Sequence, residues 1–348
     1  MDRADDTTMR ILTKTIVKRA LKDSLESPER SARNLVDMAL NFSRGRFQKN
    51  FFAAAQEILG NEQSAYYKLI RDISLTADPD RILTFGMNVG YTSCTVGAKR
   101  IRETERQQHF NIPWSVTLFA DPERNPEVVR AFPSVIRQGK ELGIYTWLLF
   151  AENQPQELLP AVKDNPDCAF VLFCRGDEFT DALMDQADSL HNLLFAVRYE
   201  KAAEHVCEKL RERKYPYAVY APYEKEDAGM ITSGGMLCCM EALRPVFAFF
   251  LPDTSCPEYI QQVVYNYVCE ARKSQKYRTI PIDLVYDNHA IDSVISDDAC
   301  TAVFDSSGKL MREFCKVTEP GDSFLENRLS DIFRRSFPKE VKGKSETV

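Results

Sequence analysis

The chain has 348 residues, of which 44% are hydrophobic and 28% charged, a composition typical of a globular protein with one large domain or two. Its net charge of −6, from 45 basic and 51 acidic residues, argues against a nucleic-acid-binding protein, which needs a basic surface. No apolar stretch approaches the roughly 20 residues of a membrane span, and the charged N-terminus lacks the apolar segment of a signal peptide. We therefore expect a cytoplasmic protein without a membrane span.

Residues 1–110 are predicted to form a helical N-terminal extension. In its first helix the apolar residues recur at helical spacing on one face: Ile11, Leu12, Ile16, Val17, Ala20 and Leu21. The other face is basic, with Arg10, Lys14, Lys18, Arg19 and Lys22. That pattern is typical of the solvated side of a docked helix, although helices that lie on anionic membranes share it.

Residues 111–290 are predicted to form a partial (β/α)6 barrel. From about residue 112, short apolar runs alternate with amphipathic helical segments; the runs cover 114–120, 144–150, 169–174, 193–198, 217–222 and 246–251. Each run is apolar on both faces, which indicates parallel strands covered by helices. Six such units are too few to close an eight-stranded barrel, so we predict an open α/β barrel.

Residues 291–338 are predicted to form a C-terminal hairpin and helix. Two β-prone runs flank the turn sequence Asp305-Ser306-Ser307-Gly308, which indicates a hairpin. The helix that follows carries Leu325, Leu329, Ile332 and Phe333 on one side. The polar residues 339–348 are predicted to be a disordered tail.

The carboxyl ends of the six predicted strands define a candidate binding site, because parallel α/β folds bind ligands there. The candidate residues at this barrel mouth are Asp121, Glu152, Asn153, Gln154, Arg175, Arg198, Glu200, Tyr223 and Asp253. They are polar and of mixed charge, and the only cysteine near them is Cys174. A small molecule could bind there, and paired carboxylates could act in acid–base catalysis.

The cysteines and histidines give no local metal motif. None of the ten cysteines forms a Cys-x2-Cys or Cys-x3-Cys pair, and many lie in apolar runs, which is typical of buried, reduced thiols. The four histidines are not spaced to share a metal, and no phosphate-binding, zinc-protease or serine-hydrolase motif occurs. We therefore predict no catalytic residue from motifs.

Several local sequences resemble radical S-adenosylmethionine (radical SAM) enzymes, in particular bacterial members with a helical N-terminal extension. They are NIPWSVTLFADP, VIRQGKELGIY and NPDCAFVLF, and the order of elements agrees from ILTKTIVKRALKDSLESPERSARNLVDMAL through the hairpin at 301–315. The resemblance implies a Cys-x3-Cys-x2-Cys loop directly after the first barrel strand. In that family the three thiolates hold a [4Fe–4S] cluster, whose fourth iron binds S-adenosylmethionine for reductive cleavage.

The chain departs from this family pattern at each position that would hold the cofactor. The loop after the first strand reads DPERNP (121–126), and no cysteine lies between Cys94 and Cys168. The family's Gly-Gly-Glu-Pro turn after the second strand is ENQP (152–155) here, and its acidic-then-glycine turn after the fourth strand is RYE (198–200). Carboxylate, guanidinium and amide groups cannot replace thiolates, so we predict a degenerate cofactor site.

A second implied cysteine pair, flanking the C-terminal hairpin, is also incomplete. Cys315 matches its second position, whereas the first falls at about Val294 and Cys300 is displaced from it. Cys300 and Cys315 are thus candidate metal ligands, although a tetrahedral site usually needs four ligands and packed thiols fit the pattern better.

The resemblance and its departures predict a non-catalytic binding module or pseudoenzyme partner, associated with an active radical SAM relative or with itself. We predict no catalytic residue and no bound cofactor, and a [4Fe–4S] cluster is not expected. One alternative is an enzyme of another class that reuses the mouth and binds S-adenosylmethionine without iron. Another is a radical SAM enzyme whose cluster is held by scattered cysteines such as Cys94 and Cys174.

Overall fold

The computed structural model describes residues 2–23, 26–42, 46–296, 300–313, 316–317 and 322–339. Cys315 and residues 340–348, which include almost all of the predicted tail, lie outside this described part. Lys339, at its end, donates from its ammonium group to the Glu105 carboxylate at 2.9 Å. In the described part, no helix is long and apolar enough to cross a bilayer.

The N-terminal region is helical, as the sequence predicts. Its helices are α1 (Asp2–Asp23), α2 (Pro28–Phe42), α3 (Arg46–Leu59), α4 (Ala65–Thr76), α5 (Pro79–Met87), a π-helical segment (Asn88–Gly97) and α6 (Ala98–Gln108). Ser64 and Asp78 cap α4 and α5 by accepting hydrogen bonds from backbone N–H groups of the first turn. Arg81 of α5 then ties the helices to the barrel, because its guanidinium donates to the carbonyls of Leu190 and Asp188.

The barrel contains all six predicted strand–helix units. Its strands and the longer helices between them are β1 (Ser115–Ala120), α7 (Pro126–Leu142), β2 (Thr146–Ala151), α8 (Leu159–Lys163), β3 (Ala169–Cys174), α9 (Asp181–Ala187), β4 (Leu193–Arg198), α10 (Ala203–Glu212), β5 (Tyr217–Tyr223), α11 (Ala228–Thr232), α12 (Gly235–Ala242), β6 (Phe247–Pro252) and α13 (Glu258–Ser274). Neighbouring strands from β1 to β6 pair in parallel. The predicted partial barrel is therefore confirmed as a curled half-barrel sheet.

The sheet extends beyond the six predicted strands on both sides. After α13 come β7 (Ile280–Asp283), α14 (Tyr286–Ile295), β8 (Ala302–Phe304), β9 (Leu310–Glu313), β10 (Lys316–Val317) and α15 (Leu329–Ser336). The strand order is β10-β9-β8-β1-β2-β3-β4-β5-β6-β7. The predicted hairpin is present as β8 and β9, and β8 also pairs in parallel with β1, so the hairpin continues the barrel sheet.

The segment after β6 differs from the sequence interpretation at two points. The strand β7 was not predicted, because IPID is short and contains Pro281, which disfavours a central strand. The helix α14, which includes His289, was not predicted either. Two side chains of α14 receive hydrogen bonds from the start of β1, since Trp114 donates from its backbone N to Asp292 and from its indole to Asn288.

Alternating residues of each strand face two different hydrophobic clusters. Val116, Trp147 and Phe170 belong to the large core between the sheet and the helices. Their neighbours on the opposite face belong to a second cluster on the inner face of the half-barrel. Both faces are buried, which explains why the strands are continuous apolar runs.

Aromatic rings fill the inner face on the side of β1 to β3. Phe119, Phe150 and Phe173 occupy one row of the sheet, because Phe119 is the register partner of Phe150, which is the partner of Phe173. Their rings stack, with centroids 4.7 Å and 4.0 Å apart. Tyr220 meets Phe173 edge to face at 5.3 Å, and Phe249 lies 5.7 Å from the same ring. The inner wall of the half-barrel is thus lined by contacting aromatic rings.

Candidate functional site

The loop after β1 is short and fastened by its own side chains. Since β1 ends at Ala120 and α7 begins at Pro126, only residues 121–125 connect them. Asp121 is 2% exposed, and its carboxylate accepts hydrogen bonds from the side chain of Asn153 at 2.7 Å and from the backbone N of Arg124 at 3.1 Å. The hydrogen bond from Asn153 lowers the pKa of Asp121 below its usual range.

The turn after β2 is joined to the same loop. Gln154 has left-handed backbone torsion angles, φ 44° and ψ 54°, which a non-glycine residue adopts at a cost. Its side-chain amide donates to the Glu123 carboxylate at 3.1 Å. The backbone N of Glu152 donates to Ala120, while the Glu152 side chain is exposed. Four of the predicted mouth residues, Asp121, Glu152, Asn153 and Gln154, are therefore brought together.

The loops after β3 and β4 form a second group. The exposed Arg175 and Asp177 side chains pair at 3.0 Å. Glu200 accepts a hydrogen bond from the backbone N of Gly176 at 2.7 Å. A β-carbon at Gly176 would lie 2.6 Å from that of Ala202, so the close approach of the two loops requires glycine here.

Arg198 and Tyr220 lie side by side at the mouth without a hydrogen-bonding partner. They are register partners on β4 and β5. Tyr220 is only 6% exposed, yet neither its hydroxyl nor the Arg198 guanidinium makes a hydrogen bond or ion pair within the residues that the structure describes. Burial raises the pKa of Tyr220, and the charges of Arg198 and Arg175 act against that rise. The Glu200 carboxylate adds to that rise, so charges of both signs act at this pair.

The remaining two predicted mouth residues, Tyr223 and Asp253, have contacts away from the other loops of the mouth. Tyr223 belongs to the core on the helix side, and its hydroxyl lies 3.4 Å from a carboxylate oxygen of Asp283. Asp253 organises its own loop, since it accepts hydrogen bonds from the backbone N and the hydroxyl of Ser255, each at 2.9 Å. The hydrogen bond from the Ser255 backbone lowers the pKa of Asp253.

Sequence reasoning missed a charged network between β7, α13 and α14. Asp283 is fully buried, and it accepts hydrogen bonds from the backbone N of Val285 and Tyr286. Burial raises the pKa of Asp283 to about 7. Asp287 accepts the backbone N of Asp283 and forms a bidentate pair with Arg272, at 2.7 Å and 2.9 Å. The missed signal was Asp283, three residues before the first residue of α14, because an aspartate there can accept backbone N–H groups of the turn that leads into a helix.

Cys94 and Cys174, which the sequence offers as scattered cluster ligands, do not come together at the mouth. Cys174 points into the helix-side core, where burial raises its pKa well above the usual value. Cys94 lies near the amino end of β2, where its neighbour Ser93 bonds to Thr146 at 2.9 Å. Cys174 is at the carboxyl end of the adjacent strand, so about five residue steps of about 3.3 Å, or about 16 Å, separate the two levels. Cys300 is buried, and its candidate partner Cys315 lies outside the described ranges.

Comparison with known proteins identifies solved structures with a similar fold. No family model and no curated protein matches the sequence. Solved structures of SuiB from Streptococcus suis match in three dimensions: the form bound to S-adenosylmethionine has a TM-score of 0.51 at 11% identity and covers 82% of this chain and 77% of SuiB. The form bound to the precursor peptide SuiA has a TM-score of 0.51 at 12% identity, with the same coverage.

A third SuiB structure has a TM-score of 0.50 at 10% identity and covers 86% of this chain and 81% of SuiB. SuiB is a radical SAM enzyme, so the chain has a radical SAM-like fold. At this level of identity the similarity shows the fold alone.

The residues after β1 do not supply the ligands of the cluster that the resemblance implies. Residues 121–125 contain no thiol, and Asp121 is already engaged by Asn153 and Arg124. Across the described ranges, no three histidine, cysteine, aspartate or glutamate side chains come together as metal ligands. An iron–sulfur cluster needs soft sulfur ligands at fixed spacing, and this loop does not fit it.

Proposed function

We propose that the chain is a degenerate radical SAM-like protein that acts as a non-catalytic binding module, as the pseudoenzyme partner of an active radical SAM enzyme. The observation that carries this proposal is the loop 121–125. It has no cysteine, and its buried carboxylate is tied to the neighbouring turn by Asn153. Sulfur ligands would have to come from a loop that is both longer and differently fastened.

The neighbouring turn supports the same proposal. The resemblance expects two glycines and a glutamate before Pro155, where the backbone approaches the methionine group of S-adenosylmethionine closely. Asn153 and Gln154 instead direct their side chains to Asp121 and Glu123. These contacts stabilise a closed pair of loops where the family would hold a cofactor.

Anaerobic reconstitution with iron and sulfide tests the loss of the cluster. We expect less than one iron per chain after desalting and no thiolate-to-iron absorption band, with an active radical SAM enzyme reconstituted in parallel as the control. Four irons per chain with reductive cleavage of S-adenosylmethionine would contradict the proposal. The same result would support the alternative in which scattered cysteines hold the cluster.

The partner role needs its own test, because loss of the cluster does not by itself create a partner. SuiB has been solved with its precursor peptide bound, and we propose that a peptide, or an enzyme that modifies one, is the class of partner here. Purification of a tagged chain from its native cells should recover a radical SAM relative in stoichiometric amount. Recovery of the tagged chain alone, as monomer or self-associated oligomer, would count against this role.

A second candidate function is the binding of a small anionic molecule at the mouth, including S-adenosylmethionine through its carboxylate without iron. The side chains of Arg198 and Tyr220, which make no hydrogen bond or ion pair with any described residue, favour it. Calorimetry with S-adenosylmethionine and with its breakdown products should then give micromolar dissociation constants, which Arg198→Gln weakens at least tenfold. Absence of heat with all these compounds would leave the partner role as the better proposal.

A further inference from the structure

A second concave site lies at the opposite end of the half-barrel from the mouth. It is a cavity of 580 Å³ between α4 and the amino ends of β5 and β6. Tyr217, the first residue of β5, and Val246, which precedes β6, form its floor. Six residue steps of β5, about 20 Å, separate this floor from the mouth. Its volume lies within the roughly 300–1,000 Å³ of small-molecule sites.

One side of this cavity is basic. Arg211, Arg244 and Arg278 line it, against the acidic Asp72 and Glu241. Glu241 is already engaged, because it accepts a hydrogen bond from the backbone N of Arg278 at 2.6 Å. The side chains of Arg244 and Arg278 make no hydrogen bond or ion pair with any described residue. The positive charge on this side is thus only partly compensated.

Arg211 is held rigidly at the base of the basic side. Its guanidinium donates to the Tyr217 hydroxyl at 2.7 Å and to the Leu243 carbonyl at 2.9 Å. Arg244 lines the same cavity, and the charges of Arg211 and Arg244 both act against the burial that raises the pKa of Tyr217. A rigid arginine beside two free ones is a suitable arrangement for a carboxylate or phosphate group.

The opposite side of the cavity is mainly apolar, and it also includes Asp72 and Thr76 of α4. It is formed by α4 and the residues around β5, with Leu69, Ile73 and Leu75 on the helix and Tyr215 and Pro216 below them. Leu75 is 62% exposed, so it is available to cover the apolar part of a ligand. An inorganic anion would leave this wall uncovered, whereas a neutral lipid would leave the arginines unpaired.

We propose that this cavity binds a soluble amphipathic anion, that is, a carboxylate or phosphate carried on an apolar body. The anionic group pairs with Arg244 and Arg278, and the body packs on the wall of α4. The site is separate from the mouth, and its occupancy does not depend on whether the chain holds a cluster.

Calorimetry on the full chain with octyl phosphate and decanoate, below their micelle concentrations, tests the proposal. We expect dissociation constants in the micromolar range for both probes, and much weaker binding for inorganic phosphate and for decyltrimethylammonium. The double variant Arg244→Gln/Arg278→Gln should weaken binding at least tenfold, and Leu75→Glu should weaken it as well. Arg130→Gln, which removes an exposed charge on α7, is the matched control and should bind as the unaltered chain does.

Three results would overturn the proposal. One is the absence of binding by either anionic probe, and another is equal binding by the double variant. The third is binding to phosphatidylglycerol vesicles without binding to the monomeric probes, since a charged surface and not a cavity would then be responsible. Arg244 and Arg278 are exposed, so the melting temperature of the double variant should match that of the unaltered chain. That match would exclude misfolding as the cause of weaker binding.

Discussion

At the scale of single residues, the two glycines of VIRQGKELGIY have separate packing roles. Gly139 of α7 lies against Trp147, where an added β-carbon would meet the ring at 2.6 Å. Gly143 ends α7 in the left-handed conformation, with φ 107°, and also faces the backbone of Gly97. The local sequence therefore fixes how α7 packs on β2, and it carries structural rather than chemical information.

We expect Gly139→Ala to destabilise the chain by about 1–3 kcal/mol, because the new methyl group overpacks a closed core. The matched control is Gly86→Ala in α5, where a β-carbon meets nothing within 4 Å. That change should be neutral or stabilising by up to about 1 kcal/mol, since alanine favours the helix. Urea unfolding of both variants measures the difference, and equal midpoints would show that Trp147 moves aside at no cost.

Also at this scale, the buried carboxyl of Asp283 should make stability depend on pH. Its pKa is raised by burial from the ordinary value of about 3.9 to about 7, so its protonated form stabilises the folded state. This contribution is fully present below about pH 4 and is lost as the pH rises through about 7. The neighbouring groups are Tyr223 and the ion pair between Asp287 and Arg272. The charge of Asp287 adds to the rise in the pKa of Asp283.

We therefore expect Asp283→Asn to remove this loss while it keeps the hydrogen bonds from the backbone N of Val285 and Tyr286. The variant should equal the unaltered chain at pH 4 and exceed it at pH 8 by an amount on the order of a few kcal/mol. Asp253→Asn is the control with the opposite sign, because the pKa of Asp253 is lowered and its contribution is lost as the pH falls. Urea unfolding midpoints at pH 4, 6 and 8 measure how the stability of each protein depends on pH. The same pH dependence in the unaltered chain and both variants would contradict the raised pKa of Asp283.

At the scale of elements, Arg81 is a buried contact between the N-terminal helices and the barrel, in addition to the hydrogen bonds of Asn88 and Ser93. Arg81 of α5 is 5% exposed, its guanidinium stacks on the Tyr215 ring at 3.7 Å, and it donates to two carbonyls in the loop before β4. We expect Arg81→Ala to cost about 3 kcal/mol, because it leaves buried carbonyls unpaired. Arg81→Lys should not rescue it fully, because an ammonium group lacks the planar guanidinium surface that stacks on the Tyr215 ring and the two separate nitrogens that reach the two carbonyls.

Limited proteolysis and urea unfolding distinguish this anchoring role from a general loss of stability. Cleavage in Arg81→Ala should begin at the junction between α4 and α5 while the barrel stays protected. Arg130→Ala is the exposed control and should change neither measurement by more than about 0.5 kcal/mol. Full rescue by lysine would mean that charge alone holds the helices.

At the scale of the whole molecule, local patterns predicted the strands, whereas long-range pairing lay beyond them. Continuous apolar runs identify β1 to β6, since strands buried on both faces have no polar side. Nothing local to residues 302–304 shows that they pair with β1, which lies about 185 residues earlier. The sequence predicts on which face of the sheet some of the mouth residues lie. Tyr223 is three positions after Tyr220, so strand alternation places it on the opposite face. The hydrogen bond between Asp121 and Asn153 cannot be predicted from the sequence, because it depends on how two separate loops are placed in three dimensions.

The pairing of β8 with β1 makes the C-terminal segment part of one core, and this can be tested. Phe304 is fully buried in the same core as Trp147, with its ring 5.2 Å from Phe324. Phe304→Ala should cost about 3–5 kcal/mol and shift the unfolding seen by tryptophan fluorescence and by circular dichroism to the same lower midpoint. Leu325→Ala removes a side chain that is 42% exposed and should leave both midpoints nearly unchanged. If the C-terminal segment unfolded as a separate unit, Phe304→Ala would split the two signals, because Trp147 on β2 would keep its buried environment after the hairpin had opened.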